Sequence, residues 1–411
     1  MLFCMQIMAG ALHGIRILDL SSVLMGPSAT QMLAEMGADV IKVEPPSGDT
    51  TRGIGPGRTP SMGSNFLNMN RGKRSLALDL KHPGSRAVLR KLVEASDVLV
   101  HNIRPQAAAR LGLAYEDVRA HNPRLVHCVL AGFGRAGPYA GQPAYDDLIQ
   151  GLAALPALYE QCGDMPRYVP TPVADRVAGL NAVVAITAAL LHRERTGEGQ
   201  SVEVPMFEAV AHMVLSDHMF GRTHEPPLGS AGYNRVLSPA RHPYRTADGW
   251  LCVLVYSDRQ WQSFFALVGR ADLAGDARFA GMRSRNDHID ELYGILAETL
   301  LTRTTAQWLE ALRSVDIPAG PMNTLDTLLD DPHLHQSGFF RQAEHPSEGT
   351  LRTMRLPMTW SASQPDPPRA APRLGEHGAE ILRELGLHEG EIQALRASGV
   401  VTEPPPLSST A

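Results

Sequence analysis

The sequence predicts an α/β protein of the doubly wound, Rossmann-like type, with a smaller α+β domain beside it. Two observations carry that prediction. Short β-like runs alternate with helical ones along the first half of the chain, and strand, helix and strand within about thirty residues form a βαβ unit, which implies a parallel sheet. The chain also has 411 residues, more than one ordinary domain of roughly 100–200 residues holds.

The elements follow in order. Ile15–Leu20 is a β-like run, and a helix over Ser28–Met36 is closed by Gly37, which suits the position after a helix end. Ala38–Glu44 is a second strand; Ser75–Leu80, Asp97–Asn102 and Arg124–Leu130 continue the series, with a helix over Gly84–Ala95. Asp175–Arg195 is the longest helical pattern, stopped by Thr196-Gly-Glu-Gly199 and followed by a strand over Gln200–Val204 and a helical run from Met206. From His224 to Ala240 the chain reads as a linker rich in Pro and Gly. Tyr244–Val255 reads as two strands about the Asp248-Gly249 turn, and Gln260–Val315 as mostly helical, with a turn near Pro318–Pro321. Met354–Trp360 is expected as a strand, Gln364–Pro372 as a proline-rich connection, Gly375–Leu387 as a helix before a last short one, and the Pro404–Pro406 tail as disordered.

Composition narrows the function classes. A formal net charge of −5 gives no basic field for nucleic acid or an anionic membrane surface. The four cysteines, Cys4, Cys128, Cys162 and Cys252, are scattered and form no Cys-x-x-Cys pair. Neither a zinc site nor a disulfide framework is indicated, and reduced thiols in a cytoplasm fit best. Met1–Met8 carries no Lys or Arg before its apolar stretch and does not read as a signal peptide, and no spanning helix is expected.

Local motifs are each weighed against a structural role. Gly132-Phe-Gly134-Arg-Ala-Gly137 matches G-x-G-x-x-G after a strand, but Pro138 and Pro143 forbid the helix that would meet a pyrophosphate, so the segment is kept as a flexible loop and not as a dinucleotide site. His333 and His335 stand two apart without a His-Glu-x-x-His pattern, so no metal site is expected. Asn70-Arg-Gly-Lys-Arg-Ser75 reads as a solvated basic turn that would also suit phosphate. Asp175 stands where Val169-Pro-Thr-Pro-Val-Ala gives way to the long helix. The residues alone favour a helix cap there, and a carboxylate at a helix N-terminus is also stabilised as the anion and available as a nucleophile.

Taken in order, several segments resemble the class III CoA-transferases, a family that includes formyl-CoA transferase, carnitine CoA-transferase and α-methylacyl-CoA racemase. They are Gly14–Leu20, Gly26-Pro27, Gly37–Pro45, Gly48–Arg52, Asn70–Lys81, Asp97–Arg104, Leu111–Leu113, Asn122–Leu125, Gly132–Gly134, Tyr145-Asp146 with Gln150, Arg195–Gln200, Asp248–Trp250 and Pro372–His377. The resemblance implies a large α/β domain formed by both termini (residues 1–222 and 326–411), a smaller middle domain (223–325) and an interlocked homodimer. It implies covalent catalysis by Asp175 on acyl-CoA and a carboxylic acid, a small dicarboxylate such as succinate among them, with no tightly bound cofactor. CoA contacts carry over to Leu24 and Met25, to Leu78, Asp79 and Lys81, to Asn102, Ile103 and Arg104, and to Arg110, with Tyr145 and Asp146 in the loop covering the thioester.

Two departures matter. Formyl-CoA transferase has an arginine where this chain has Pro45 and a lysine where it has Pro143, so phosphate contacts are expected to pass to Arg52 or Arg71 or be lost. The racemase branch, the alternative, needs a histidine where this chain has Tyr145. Phenols titrate at about 10 and make poor bases at neutral pH, so transfer is preferred.

Overall fold

A computed structural model describes residues 10–404. Met1–Met8 and nearly all of the Pro404–Pro406 tail, for which expectations were given above, lie outside the described residues. The chain forms two compact units: one from Met1–Ile149, Thr171–Ala211 and Leu334–Ala411, the other from Gln150–Pro170 and His212–His333. The second unit therefore takes in an excursion, Gln150–Pro170, that the expected three-segment division does not contain.

In chain order the elements leading to the site are β1 (Arg16–Leu20), α1 (Met25–Glu35), β2 (Asp39–Glu44), α2 (Ser64–Met69), β3 (Lys73–Leu78), α3 (Ser85–Glu94) and β4 (Val98–His101). They continue with α4 (Pro105–Arg110), α5 (Tyr115–His121), β5 (Val126–Ala131), α6 (Asp146–Leu152), α7 (Leu155–Gln161), α8 (Val173–Thr196) and β6 (Ser201–Pro205). The sheet runs β3-β2-β1-β4-β5-β6, all parallel, and the short strand Val401–Thr402 adds antiparallel to β3. This is a mixed α/β fold with a large, mostly parallel sheet in Rossmann order. Such strands are covered on both faces, which is why they read as near-continuous apolar runs: Ile17, Leu18, Val40, Ile41, Val98, Leu99 and Val126 are fully buried.

α8 is the longest helix. Its small and apolar residues Ala174, Ala178, Ala182, Ile186 and Ala189 recur at helical spacing and are buried. Gly179 lets it approach α1 closely: a Cβ there would lie 2.7 Å from Ser28 Oγ and 3.0 Å from the Met25 carbonyl oxygen. Gly197, at φ 80°, ends the helix in the left-handed region, as the sequence indicates. With a mean hydropathy of 1.5, α8 is long and apolar enough in composition to cross a membrane, yet half of that stretch is buried inside the protein. Among the described residues it is the one helix of this kind.

The second unit holds a three-stranded antiparallel sheet, Tyr244–Arg245, Trp250–Val253 and Ala319–Pro321. Its helices Asp258–Leu267 and Thr305–Ser314 open with capping boxes, Ser257 with Gln260 and Thr304 with Gln307. Trp261, Phe264, Phe265, Tyr293 and Trp308 form its core.

Three expectations are corrected. Residues 319–321 form a strand and not a turn, because Trp250–Val253 supplies a partner edge that Ala-Gly-Pro does not announce. The strand expected over Met354–Trp360 is instead a hairpin of Phe340–His345 with Gly349–Met354. Its turn is marked by Pro346 and by Gly349 at φ 67°. The basic segment Asn70–Ser75 is not a solvated turn: Asn70, Arg71, Lys73 and Arg74 are all buried. Each cation meets a carboxylate from far along the chain, Arg71 with Glu35, Lys73 with Asp19, and Arg74 with Asp39 and Glu384.

Candidate active site

The strand order reverses between β1 and β4, so the connections leaving these neighbours diverge. A crevice opens there outside the carboxyl ends of the strands, where ligands sit in open α/β sheets. It is a cleft of about 1240 Å³, open mouth included. Its walls come from the β1–α1 loop (Ser22, Val23, Met25), the β4–α4 loop (Asn102, Ile103, Arg104), and the stretch after β5 (Gly132, Phe133, Arg135, Pro143, Tyr145). Asp175 lines it from α8.

Asp175 is the third residue of α8, and the capping position belongs to Pro172, which has no capping side chain. The expected cap is thus corrected: the carboxylate of Asp175 is free of that task. Its own backbone N–H instead donates to Asp146 Oδ1 at 3.0 Å, so a carboxylate from the start of α6 serves the helix end. The side chain of Asp175 is 9% exposed. Met25, at the start of α1, lines the cleft with Asp175, and its backbone N–H favours the charged form of the carboxylate. Burial, with the neighbouring Asp146 charge adding to it, pushes the Asp175 carboxyl up to about 6, against the pull of Arg176 and the Met25 N–H. The stabilisation of the anion expected at a helix N-terminus is outweighed here by desolvation and by the Asp146 charge. A buried carboxylate raised this far is more basic than an ordinary one and still mostly ionised at neutral pH, which suits a nucleophile.

The residues expected from sequence divide into groups. Met25, Asn102, Ile103, Arg104 and Tyr145 line the cleft with Asp175, and Asp146 touches Asp175 through its backbone. Leu24 is the residue preceding α1 and is half-buried. Leu78 is fully buried in the core, where it pairs with Val401. Asp79 accepts the Lys81 N–H at 3.0 Å in the turn beyond it, away from the cleft. Arg110 borders a separate depression with Arg86, Arg90 and His121.

Arg52 and Arg71 cannot serve as replacement phosphate contacts. Arg52 grips Glu44 through Nε and NH2, both at 2.8 Å, and lies over the Phe66 ring; Arg71 is held by Glu35 at 2.9 Å. What sequence reasoning missed is the loop after β5. Gly132–Gly137 is expected only as a flexible loop, with Gly132–Gly134 part of the resemblance, yet Phe133 and Arg135 line the cleft, with Arg135 paired to Glu203 at 3.3 Å. The signal was present in the position of that loop after a predicted strand. The two imidazoles in the nearby strands, His101 and His127, are buried with Nε2 atoms 3.1 Å apart and do not line the cleft. Burial, with His127 adding to it, pushes His101 down to about 3.

Fold and site together define a Rossmann-type α/β protein with a buried carboxylate of raised pKa at the switch point of its sheet. Over residues 12–378 the chain matches the family described as CoA-transferase family III, and it belongs to that family. It is an acyl-CoA:carboxylate CoA-transferase of class III, with acyl-CoA as substrate. It is 35% identical over 382 residues to a succinate–glutarate CoA-transferase of Agrobacterium fabrum, covering 91% of this chain and 95% of that one. It is 34% identical over 391 residues to a succinyl-CoA:mesaconate CoA-transferase of Haloarcula hispanica, with 93% and 98% covered. A crystal structure of a CAIB/BAIF family protein from Brucella suis superposes with a TM-score of 0.76 at 31% identity, covering 92% of this chain and all of that one.

Proposed function

We propose that this chain transfers CoA between two carboxylic acids through covalent intermediates on Asp175, with a small dicarboxylate such as succinate as one partner. The observation that carries the reading is the place of Asp175: buried, in no salt bridge among the described residues, and in the cleft at the sheet's switch point beside Met25. The dicarboxylate rests on the relatives, two of which are named for succinate, glutarate or mesaconate.

A carboxylate oxygen of Asp175 attacks the carbonyl of the donor thioester; the C–S bond breaks, leaving an aspartyl–acyl anhydride and CoA thiolate. The thiolate attacks the aspartyl carbonyl and the anhydride C–O bond breaks, giving aspartyl-CoA thioester and the donor acid. The acceptor carboxylate attacks this thioester and expels the thiolate, which then attacks the acceptor's acyl carbon and frees Asp175. Every intermediate keeps the acyl group activated, so neither ATP nor a tightly bound cofactor is required. Asn102, Ile103 and Arg104 are proposed to hold the CoA portion and supply its orientation.

The enzyme is proposed to work in the cytoplasm as an interlocked homodimer. Support for self-association comes from Leu180, Val184 and Leu191 on α8, which share a face and are 52%, 67% and 52% exposed.

The test is to mix the protein with succinyl-CoA, trap with hydroxylamine and map the modified residue by mass spectrometry. Modification at Asp175, absent in Asp175→Asn, is expected. Deuterium exchange at the substrate α-carbon without trapping would point to racemase chemistry instead.

A further inference from the structure

The β1–α1 loop that presents the Met25 N–H is built under strain. Val23 has φ 71°, a left-handed conformation that a β-branched residue rarely adopts. The strand ends beneath it hold an ionic cluster. Asp19, Lys42, Asp49 and Lys73 have side chains no more than 1% exposed. Such buried pairs add little net stability over apolar packing, so their presence calls for another use.

That use is legible in their bonds. Lys42 Nζ donates to Asp49 Oδ2 and to the Ser21 carbonyl oxygen, both at 3.0 Å. The Val23 N–H donates to both Asp49 oxygens at 3.3 Å. Asp19 accepts the Ser21 N–H at 2.9 Å and the Thr30 hydroxyl at 2.6 Å. Lys73 Nζ donates to Asp19 and to the Pro27 carbonyl oxygen, each at 3.0 Å, and so reaches the first turn of α1. From the opposite side the Asn102 amide brackets Ser22, accepting its N–H at 3.1 Å and donating to its carbonyl at 3.0 Å. The loop is thus anchored at Ser21, Ser22 and Val23, just before Met25, which lines the cleft with Asp175.

We infer that the Lys42–Asp49 pair, assisted by Asn102, is a positioning device that holds the strained Val23 loop so that the Met25 backbone keeps its place beside the Asp175 carboxylate through its acylation. Asp49 and Lys42 touch neither substrate nor Asp175; they act through the backbone between Ser21 and Met25. The inference rests on Asp175 being the nucleophile.

The test measures the rate at which CoA becomes attached to Asp175, normalised to the final amount attached, so that loss of folded protein does not enter. Asp49→Asn keeps an oxygen for the Thr51 N–H, 3.0 Å from Oδ1, but replaces the acceptor facing Lys42 by an amide donor. The expected result is a fall of about 10²-fold in the normalised rate, as for a misplaced catalytic group, with KM for the acyl-CoA changed less than about threefold. Adding Val23→Gly removes the strain, because glycine adopts positive φ freely, and is expected to restore much of the rate. An unchanged rate, or a fall that Val23→Gly does not relieve, would overturn the inference. Should Asp49→Asn fail to fold, Asp49→Glu, which keeps the charge but displaces the carboxylate from Lys42 and the Val23 N–H, is read in the same way: a slowed rate at near-constant KM supports the device, and an unchanged rate overturns it. Absence of any Asp175 adduct in the unmodified protein would overturn the parent reading, and this inference with it.

Discussion

Two aspartates, Asp19 and Asp175, are buried at the same end of the same sheet and have opposite fates. Burial disfavours the charge of both. At Asp19 the ammonium groups of Lys73 and Lys42, with the Ser21 and Thr30 hydroxyls, outweigh it and hold the carboxyl down at about 2. At Asp175 the nearest addition is a second carboxylate, Asp146, and the group rises to about 6. A buried carboxylate whose counter-charges outweigh burial is held ionised; one whose neighbours do not is left more basic. Burial pushes the Lys73 ammonium down to about 8 against the pull of Asp19, so it stays charged at neutral pH, its three N–H groups donating to Asp19, Pro27 and Asn70.

The contrast is broken most sharply by neutralising each aspartate in turn. Asp175→Asn is expected to lower turnover by about 10³-fold or more, since the proposed mechanism forms the anhydride on this carboxylate. Its effect on stability runs the other way. The folded carboxyl at about 6 lies above its ordinary 3.8, so the native state binds the proton more tightly. The stability linked to this group is full below about 4 and is lost as pH rises through about 6. Asparagine escapes that cost, and unfolding in urea at neutral pH is expected to show a gain of about 1–3 kcal/mol.

Asp19→Asn is expected to do the reverse, destabilising the protein by about 3–5 kcal/mol because a buried ammonium is left without its partner. Here the folded value lies below the ordinary one, so the stability is present above about 4 and disappears as pH falls through about 2. Urea unfolding from pH 7 downward checks both the size and the sign.

The smallest change sharpens the comparison at Asp146. Asp146→Asn keeps an oxygen for the Asp175 N–H but removes the like charge, so the acid limb of the rate profile is expected to move below about 6 with little change in melting temperature. A profile that stays in place would mean that burial alone sets the Asp175 value.

Alternation of strand and helix was legible because each element's period is local: β1, β2, β4, β5, β6 and α8 fall within about two residues of their expected places. Charged residues inside strands were not. Lys73 and Arg74 read as surface because their partners Asp19 and Glu384 are 54 and 310 residues away, and no local pattern shows such a pairing. The same limit hid the strand over residues 319–321, which exists only because Trp250–Val253 offers an edge. For the site, Asp175 is singled out by the ordered resemblance around it. Its freedom from capping and its raised carboxyl depend on Pro172, Asp146 and the Met25 N–H, which only the fold brings together.

The central claim is that Asp175, held in this environment, is the group that takes the acyl chain. The direct measurement is the rate of CoA attachment to Asp175 after rapid mixing with succinyl-CoA, followed by mass spectrometry of the Asp175 peptide across pH 4.5 to 8. The account predicts an adduct on Asp175 whose rate of formation rises with pH around a midpoint of about 6. An adduct on another residue, or none at any pH with active protein, would contradict it.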